Sequence, residues 1–210
     1  RPVAETVPGP VLRIPNTFRS IYDQPASDET DREGLLFVGR LVSVKGADLA
    51  IAALERLRRR GIDHTLTICG DGPERRALEE QARRAGLRNS VHFEGWTDPE
   101  ELAMHYRRSK LLLIPSRYEP FGIVALEAVA SGCPVVAAKT GGLPEAVGDC
   151  GILVAPDDAQ ELVHGIERAL QPDVRETLRS SMPAHVDRHR IDRIATDYLH
   201  LLRRVVQKDA

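Results

Sequence analysis

Six short, mainly apolar runs punctuate the chain: LLFVG at 35–39, TLTIC at 65–69, VHF at 91–93, LLLI at 111–114, VVAA at 135–138 and ILV at 152–154. Between most of them lie stretches with helical periodicity, at about 46–60, 73–85, 98–107 and 122–131, with another at 158–170 after the last run. Strands without polar alternation have both faces covered, which is the condition of a parallel sheet in an α/β protein. The alternation therefore predicts a Rossmann-like, doubly wound parallel sheet with helices on both faces. Helix starts support the boundaries. TDPEEL sets Asp98 as N-cap, Pro99 in the first helical position and Glu101 three residues on. Pro73 and the pair Asp157 and Gln160 mark two further starts.

Length and charge narrow the function classes. At 210 residues the chain holds one large domain or two small ones. Residues 1–33, rich in Pro, Asp, Glu and Thr, read as a linker with a lead-in strand in VLRIPN. Residues 34–170 form the Rossmann-like domain, and 171–210 are helical, interrupted at Pro183. The last segment carries Ile191, Ile194, Ala195, Tyr198, Leu201, Leu202 and Val205 at helical spacing, so it packs on something. With 29 Lys and Arg against 31 Asp and Glu, no basic field argues for nucleic acid. Aromatics at 4% are too few for base-stacking platforms. Cys69, Cys133 and Cys150 are odd in number and contain no C-x-x-C pair, which fits a reduced, cytoplasmic compartment. No run of 18 apolar residues suggests a membrane span, and the first ten residues show no signal-peptide core.

The chemistry concentrates in EPFGIVALEA, residues 119–128. From Gly122 to Ala130 every residue but Glu127 is apolar or glycine, so the helix is expected to be buried, and a buried carboxylate is costly without a partner. The first amides of a helix opening at Gly122 have no intrahelical acceptors and suit an anion. Glu127 lies five residues further, about 7.5 Å along the axis. A diphosphate at the helix start would leave an attached ribose near it. The structural alternative, a lone Glu paired with a buried Arg or capped by backbone, stays open on spacing alone.

Other segments are weaker. GRLVSVKG places Arg40 and Lys45 around a strand-to-helix loop, where phosphates sit in doubly wound sheets, although cations there are commonly just solvated. Arg56, Arg58, Arg59 and Arg60 crowd a helix end and complement its dipole. CGDGPER fails as a dinucleotide fingerprint because Arg75 stands in the third glycine position. Gly70 and Gly72 read instead as a tight turn into the helix that Pro73 starts, and KTGGLPEAV as a glycine turn at the same edge as EPFG. Trp96 is either a core plug or a wall for a planar ring. His185 and His189, four apart without a third ligand, read as a solvated helix face rather than a zinc site. No nucleophile elbow occurs.

Taken together, these segments resemble a known family. Glu119 and Glu127 in EPFGIVALE look like the E-x7-E signature of retaining glycosyltransferases of family 4. GRLVSVKG, ICGDGPER, VHFEGW and SGCPVVAAKTGGLPE recur in that family in the same order, and VLRIPNTF resembles its lead-in strand. The resemblance covers roughly residues 11–160 and implies the C-terminal, donor-binding half of a GT-B fold. By resemblance, Arg40, Lys45 and Glu119 are catalytic: the two cations meet the donor diphosphate and Glu119 meets hydroxyls of the transferred sugar. Gly122 and the backbone amides of Ile123 and Val124 meet the phosphates, Glu127 the ribose, and Trp96 and Thr97 the base. The substrate is a nucleotide-diphosphate sugar, with no cofactor and no metal. The partners implied are a missing N-terminal acceptor-binding domain and, through it, peripheral membrane contact. Inactivity of this chain alone follows, and retention implies attack from the leaving-group face, helped by a phosphate oxygen. A nucleotide-sugar-binding module, or an epimerase or phosphorylase on the same fold, is the competing reading.

Overall fold

The computed structural model describes residues 14–23 and 32–206, and it has six strands and nine α-helices among them. The strands are β1 (Glu33–Val38), β2 (Leu66–Cys69), β3 (Val91–Gly95), β4 (Ser109–Ile114), β5 (Val135–Ala138) and β6 (Gly151–Val154). The helices are α1 (Ala47–Arg59), α2 (Arg75–Arg84), α3 (Pro99–Arg108), α4 (Ile123–Ala130), α5 (Leu143–Val147), α6 (Ala159–Ala169), α7 (Pro172–Ser180), α8 (Met182–Arg188) and α9 (Ile191–Val206). All pairings are parallel, in the order β3-β2-β1-β4-β5-β6. This is the Rossmann order, and the predicted α/β class is what the chain adopts.

Period-two alternation along the central strands divides the core into two layers. Leu35 and Phe37 of β1, with Leu111 and Leu113 of β4, pack against Ile51, Leu54, Leu57 and Ile166 from α1 and α6. Leu36, Leu112 and Ile114 face the other way, onto Tyr106, Ala125, Leu126 and Val129 from α3 and α4. The runs of the central strands β1, β4 and β5 are apolar because both of their faces are covered, whereas β3, at the sheet edge, exposes His92 and Glu94. Cys69, Cys133 and Cys150 are free and buried inside them, and burial pushes their thiols up to about 11, 12 and 12.

Several local expectations need correction. Ile14–Asn16 are not strand, Val11–Arg13 lie outside the described residues, and the stretch read as a linker is partly docked. Phe18 and Tyr22, flanking and ending a 3-10 turn at Ser20–Tyr22, are buried in the second layer. Asp98 does cap α3, accepting from the Glu101 amide at 2.9 Å. The cap of α6, however, is Asp158, which accepts from Gln160 and Glu161 and frees Asp157 for another task. Helix α2 begins at Arg75, not Pro73. Gly70 serves close approach: a Cβ there would sit 1.9 Å from the Gly39 carbonyl oxygen, so only glycine lets the β1 and β2 loops touch. The stretch read as a glycine turn contains a helix, α5, and the break near Pro183 falls before it, since Pro183 is in the first turn of α8.

His185 and His189 are buried rather than solvated. The His185 Nε2 lies 2.9 Å from the Ala146 carbonyl and the His189 Nδ1 2.7 Å from that of Asn16. Among the described residues no cluster of His, Cys, Asp and Glu has the arrangement of a metal site. The arginines ending α1 are tied locally, Arg59 to Glu55, Arg60 to Glu167 and Arg58 to the Gly86 carbonyl. Helix α9 buries Ile194 but leaves Ile191, Tyr198, Leu199 and Leu202 exposed; the Val205 side chain lies outside the described residues. No helix among the described residues is long and apolar enough to cross a membrane.

Because Phe18 fills a core position, Phe18→Ala is expected to cost about 3 kcal/mol and to lower Tm by about 6–12 °C in thermal unfolding. A Tm unchanged within 2 °C would show the leading segment to be dispensable.

Candidate functional site

The order of the sheet reverses between β1 and β4, and the crevice outside the C-terminal ends of two such strands is where ligands of open α/β sheets bind. Both strands end in the loops that carry the predicted residues. After β1 the chain runs through Arg40 into a 3-10 turn at Ser43–Lys45 and then α1. After β4 it passes Arg117 and Glu119 to Gly122, which caps α4 in the left-handed region with φ 73° and leaves the helix start with no side-chain cap. The Ile123 and Val124 amides, in the first turn of α4, therefore have no intrahelical acceptor.

The two loops meet through charge. Lys45 Nζ lies 2.5 Å from Glu119 Oε2, and the Glu119 residue is only 8% exposed. Two side chains 74 positions apart, each chosen for donor contact, are thus brought together. The Glu119 backbone is fixed as well: its carbonyl accepts from the Gly142 amide at 2.8 Å, and a Cβ on Gly141 would fall 2.0 Å from the same oxygen. At φ 53° and with that clearance, Gly141 is the residue that lets the β5 loop lie flat on Glu119.

Arg117 braces this edge, and sequence reasoning missed it. Its guanidinium donates to both Asp48 oxygens at 3.0 and 2.8 Å and to the Ser43 carbonyl at 2.6 Å, and it pairs with Asp157 at 2.8 Å. Its amide donates to the Val44 carbonyl, and its own carbonyl accepts from Thr140 Oγ1. One residue therefore joins the loops after β1, β4, β5 and β6. The Asp48 hydrogen bonds, above all, hold the guanidinium's pKa above its usual range. Asp157 is the one non-glycine residue among those described with positive φ, at 57°. Its strained backbone accompanies a carboxylate aimed at Arg117.

Glu127 is 9% exposed within α4, where six of the eight residues are buried. Its partner is not an arginine. The Tyr106 hydroxyl donates to Glu127 Oε2 at 3.1 Å. Burial pushes the Glu127 carboxyl up to about 7, against the Tyr106 hydrogen bond and the charge of Arg19, which both lower it. Burial, with the charge of Glu127 adding to it, keeps the Tyr106 phenol neutral.

Trp96 is 79% exposed, so it is no core plug. With Thr97, Gly39, Arg40, Gly70 and Leu102 it lines a cleft of about 240 Å³ beyond β1, β2 and β3. Arg40 is exposed and makes no hydrogen bond or ion pair among the described residues. The structure thus sorts the predicted residues into three groups along one edge: Lys45 with Glu119, Arg40 with Trp96 and Thr97, and Glu127 behind the α4 start. Val44, Tyr118, Phe121 and Ile123 are exposed apolar side chains of the same loops and of the α4 start.

The family profile described as Glycosyl transferases group 1 matches residues 19–182. The chain belongs to this family. A glycogen synthase of Mycobacterium tuberculosis is 45% identical over 138 residues, covering 65% of this chain and 33% of the relative. A D-inositol 3-phosphate glycosyltransferase of Acidothermus cellulolyticus is 38% identical over 180 residues, 80% of this chain and 40% of the relative. Among solved structures, Anabaena HepE in complex with UDP superposes with a TM-score of 0.76 at 27% identity, covering 89% of this chain and 55% of that one. HepE is also known with UDP and glucose, at a TM-score of 0.75. These structural relatives have the GT-B fold that the motifs implied. The chain spans about a third to two fifths of the length of the curated relatives it matches.

Replacing Arg117 by Met in this glycosyltransferase domain is expected to cost about 1–2 kcal/mol. The cost stays modest because Asp48 and Asp157 are partly open to solvent, and it lowers Tm by about 2–8 °C. The deficit shrinks in high salt as the lost ion pairs are screened in the parent. An equal Tm for both proteins would show that the brace contributes nothing.

Proposed function

We propose that this chain is the donor-binding half of a retaining glycosyltransferase that takes its sugar from a nucleoside diphosphate. The observation that carries the reading is the convergence, at one sheet edge, of an uncapped α4 start, the Lys45–Glu119 pair and the buried Glu127. The diphosphate lies against the Ile123 and Val124 amides, with Lys45 and Arg40 as its cations. Glu127 receives the ribose hydroxyls, Glu119 the hydroxyls of the transferred sugar, and the base stacks in the cleft walled by Trp96 and Thr97.

The chemistry follows from charge. Cleavage of the sugar–phosphate bond leaves the sugar oxocarbenium-like and places negative charge on the departing diphosphate. Lys45, Arg40 and the aligned amides stabilise that charge as it develops, so they favour the transition state over the ground state. With two cations and a helix start at the phosphates, we take the reaction to need no metal. Lys45 is held by Glu119 until the donor enters, and the incoming phosphate then competes for the ammonium while Glu119 turns to the sugar. Retention of configuration requires the acceptor to attack from the leaving-group face, with a phosphate oxygen accepting its proton. The acceptor belongs to a second domain, which closes over the exposed Val44, Tyr118 and Phe121, and the chain by itself is inactive in transfer.

Calorimetric titration with UDP, GDP and ADP in the presence of EDTA tests this reading. One nucleotide is expected to bind at least tenfold more tightly than the others; UDP is the first to try, because HepE holds it. Glu127→Ala is expected to weaken that binding about tenfold or more with an unchanged circular dichroism spectrum, and equal affinity would refute the ribose role. The double variant Arg40→Ala, Lys45→Ala is expected to bind less tightly than the parent, and the gap to be larger at low salt than at high salt.

A further inference from the structure

We propose that Tyr106 is a positioning residue for nucleotide binding: its phenol holds one oxygen of the Glu127 carboxylate and presents the other to the ribose. The inference rests on the ribose role of Glu127 and adds the group that makes that role workable.

The geometry divides the carboxylate. Tyr106 donates to Oε2 at 3.1 Å, whereas Oε1 receives no hydrogen bond among the described residues. Tyr106 has no freedom to follow a moving partner. It is fully buried, its ring meets Tyr22 edge-on at 5.7 Å, and its carbonyl accepts from Arg32 at 3.1 Å. The same guanidinium donates to the Ser109 carbonyl and to that of Ser131, which follows the last turn of α4. One buried cation thus ties the end of α3, which carries the phenol, to the end of α4, which carries the carboxylate.

The choice of donor matters. A buried arginine would hold the carboxylate ionised but fill both oxygens in a bidentate pair. A phenol satisfies one oxygen and leaves the negative charge and the second oxygen for two ribose hydroxyls. The cost is a carboxylate left under-solvated in the free protein, which burial pushes up to about 7. The groups acting on it are Tyr106 from α3 and, ahead of the 3-10 turn, Arg19, while Tyr22 within that turn is itself raised, by burial first and then by the charge of Glu127. From α8, His185 is engaged with Ala146; on α5, Glu145 is exposed; β4 and β5 contribute apolar side chains. Ribose therefore binds the ionised form, and donor affinity is linked to the loss of one proton.

UDP-glucose is the probe, because its diphosphate, esterified at both ends, takes up no proton near neutrality. Its affinity for the parent is expected to rise about tenfold from pH 6 to pH 8, as the ionised fraction grows from about a tenth to about nine tenths. Tyr106→Phe loses the donor that favours the charged form, so the rising limb moves to higher pH and affinity at pH 7 falls about three- to tenfold. Glu127→Gln binds weakly with no such limb, and Tyr106→Phe added to it changes affinity by less than twofold. A second readout needs no ligand: the Glu127 carboxyl carbon, followed by NMR, titrates at higher pH in Tyr106→Phe than in the parent. An unmoved limb or an unmoved carbon titration overturns the positioning role, as does an equal loss in the Glu127→Gln background. If Glu127→Gln binds as tightly as the parent, the ribose reading itself falls, a separate failure.

Discussion

The contact on which this molecule turns is the parallel pairing of β1 with β4, strands separated in sequence by two strands and three helices. It places two chain directions side by side. From β1 the chain moves outward to α1 and from β4 to α4, on opposite faces of the sheet, so their loops part and a crevice opens between them. A crevice made by diverging loops has no intrinsic rigidity. Arg117 supplies it by spanning the gap with its side chain and its backbone together, and Asp157 tolerates an unfavourable φ to complete the set.

The two glutamates of the E-x7-E segment show how context divides one chemistry into two roles. Glu119 lies in a loop with a cation against it, so its charge is compensated and its partner is a group that an incoming anion can attract. Glu127 lies in a helix with apolar neighbours and a neutral donor, so its charge is tolerated at a cost. The sign of that cost is fixed. A carboxylate whose folded pKa lies above its unfolded value binds its proton more tightly when folded. The resulting stabilisation is complete below the unfolded pKa near 4.5 and is lost as pH rises toward about 7. Above that range Glu127 is a liability of the empty fold, one that hydroxyl donors relieve.

Much of this was legible in the residues. Six apolar runs announced a sheet covered on both faces, and Asp98 with Pro99 announced a helix start, because each is a local pattern with a local cause. The motifs singled out Lys45 and the two glutamates as candidates, and the fold brings Lys45 against Glu119. What could not be read was pairing over distance. Tyr106 looks like any aromatic on a helix face, and nothing near it in sequence points to Glu127. Arg117 reads as a loop cation until Asp48 and Asp157 are seen around it. His185 and His189 looked solvated because spacing reports a shared face and not what covers it; here α5 and the leading segment cover it. The cap at Asp158 in place of Asp157 is a shift of one residue: Asp158 accepts from the Gln160 and Glu161 amides, while Asp157 pairs with Arg117.

The apolar surface left exposed carries the remaining argument. Trp96, Tyr118, Phe121 and Ile123 stand at the same sheet edge as the charged groups, whereas the exposed apolar face of α9 belongs to the last helix described. Under the proposed reading, aromatic side chains beside the cations that meet the diphosphate are costly in water but useful against a flat base or a sugar ring, and more so once a second surface excludes solvent. Water exclusion would also strengthen every electrostatic contact to the diphosphate. Under the proposed reading, the edge that recognises the donor is therefore also the edge that must be covered for transfer, and recognition can proceed on this chain while chemistry waits for closure.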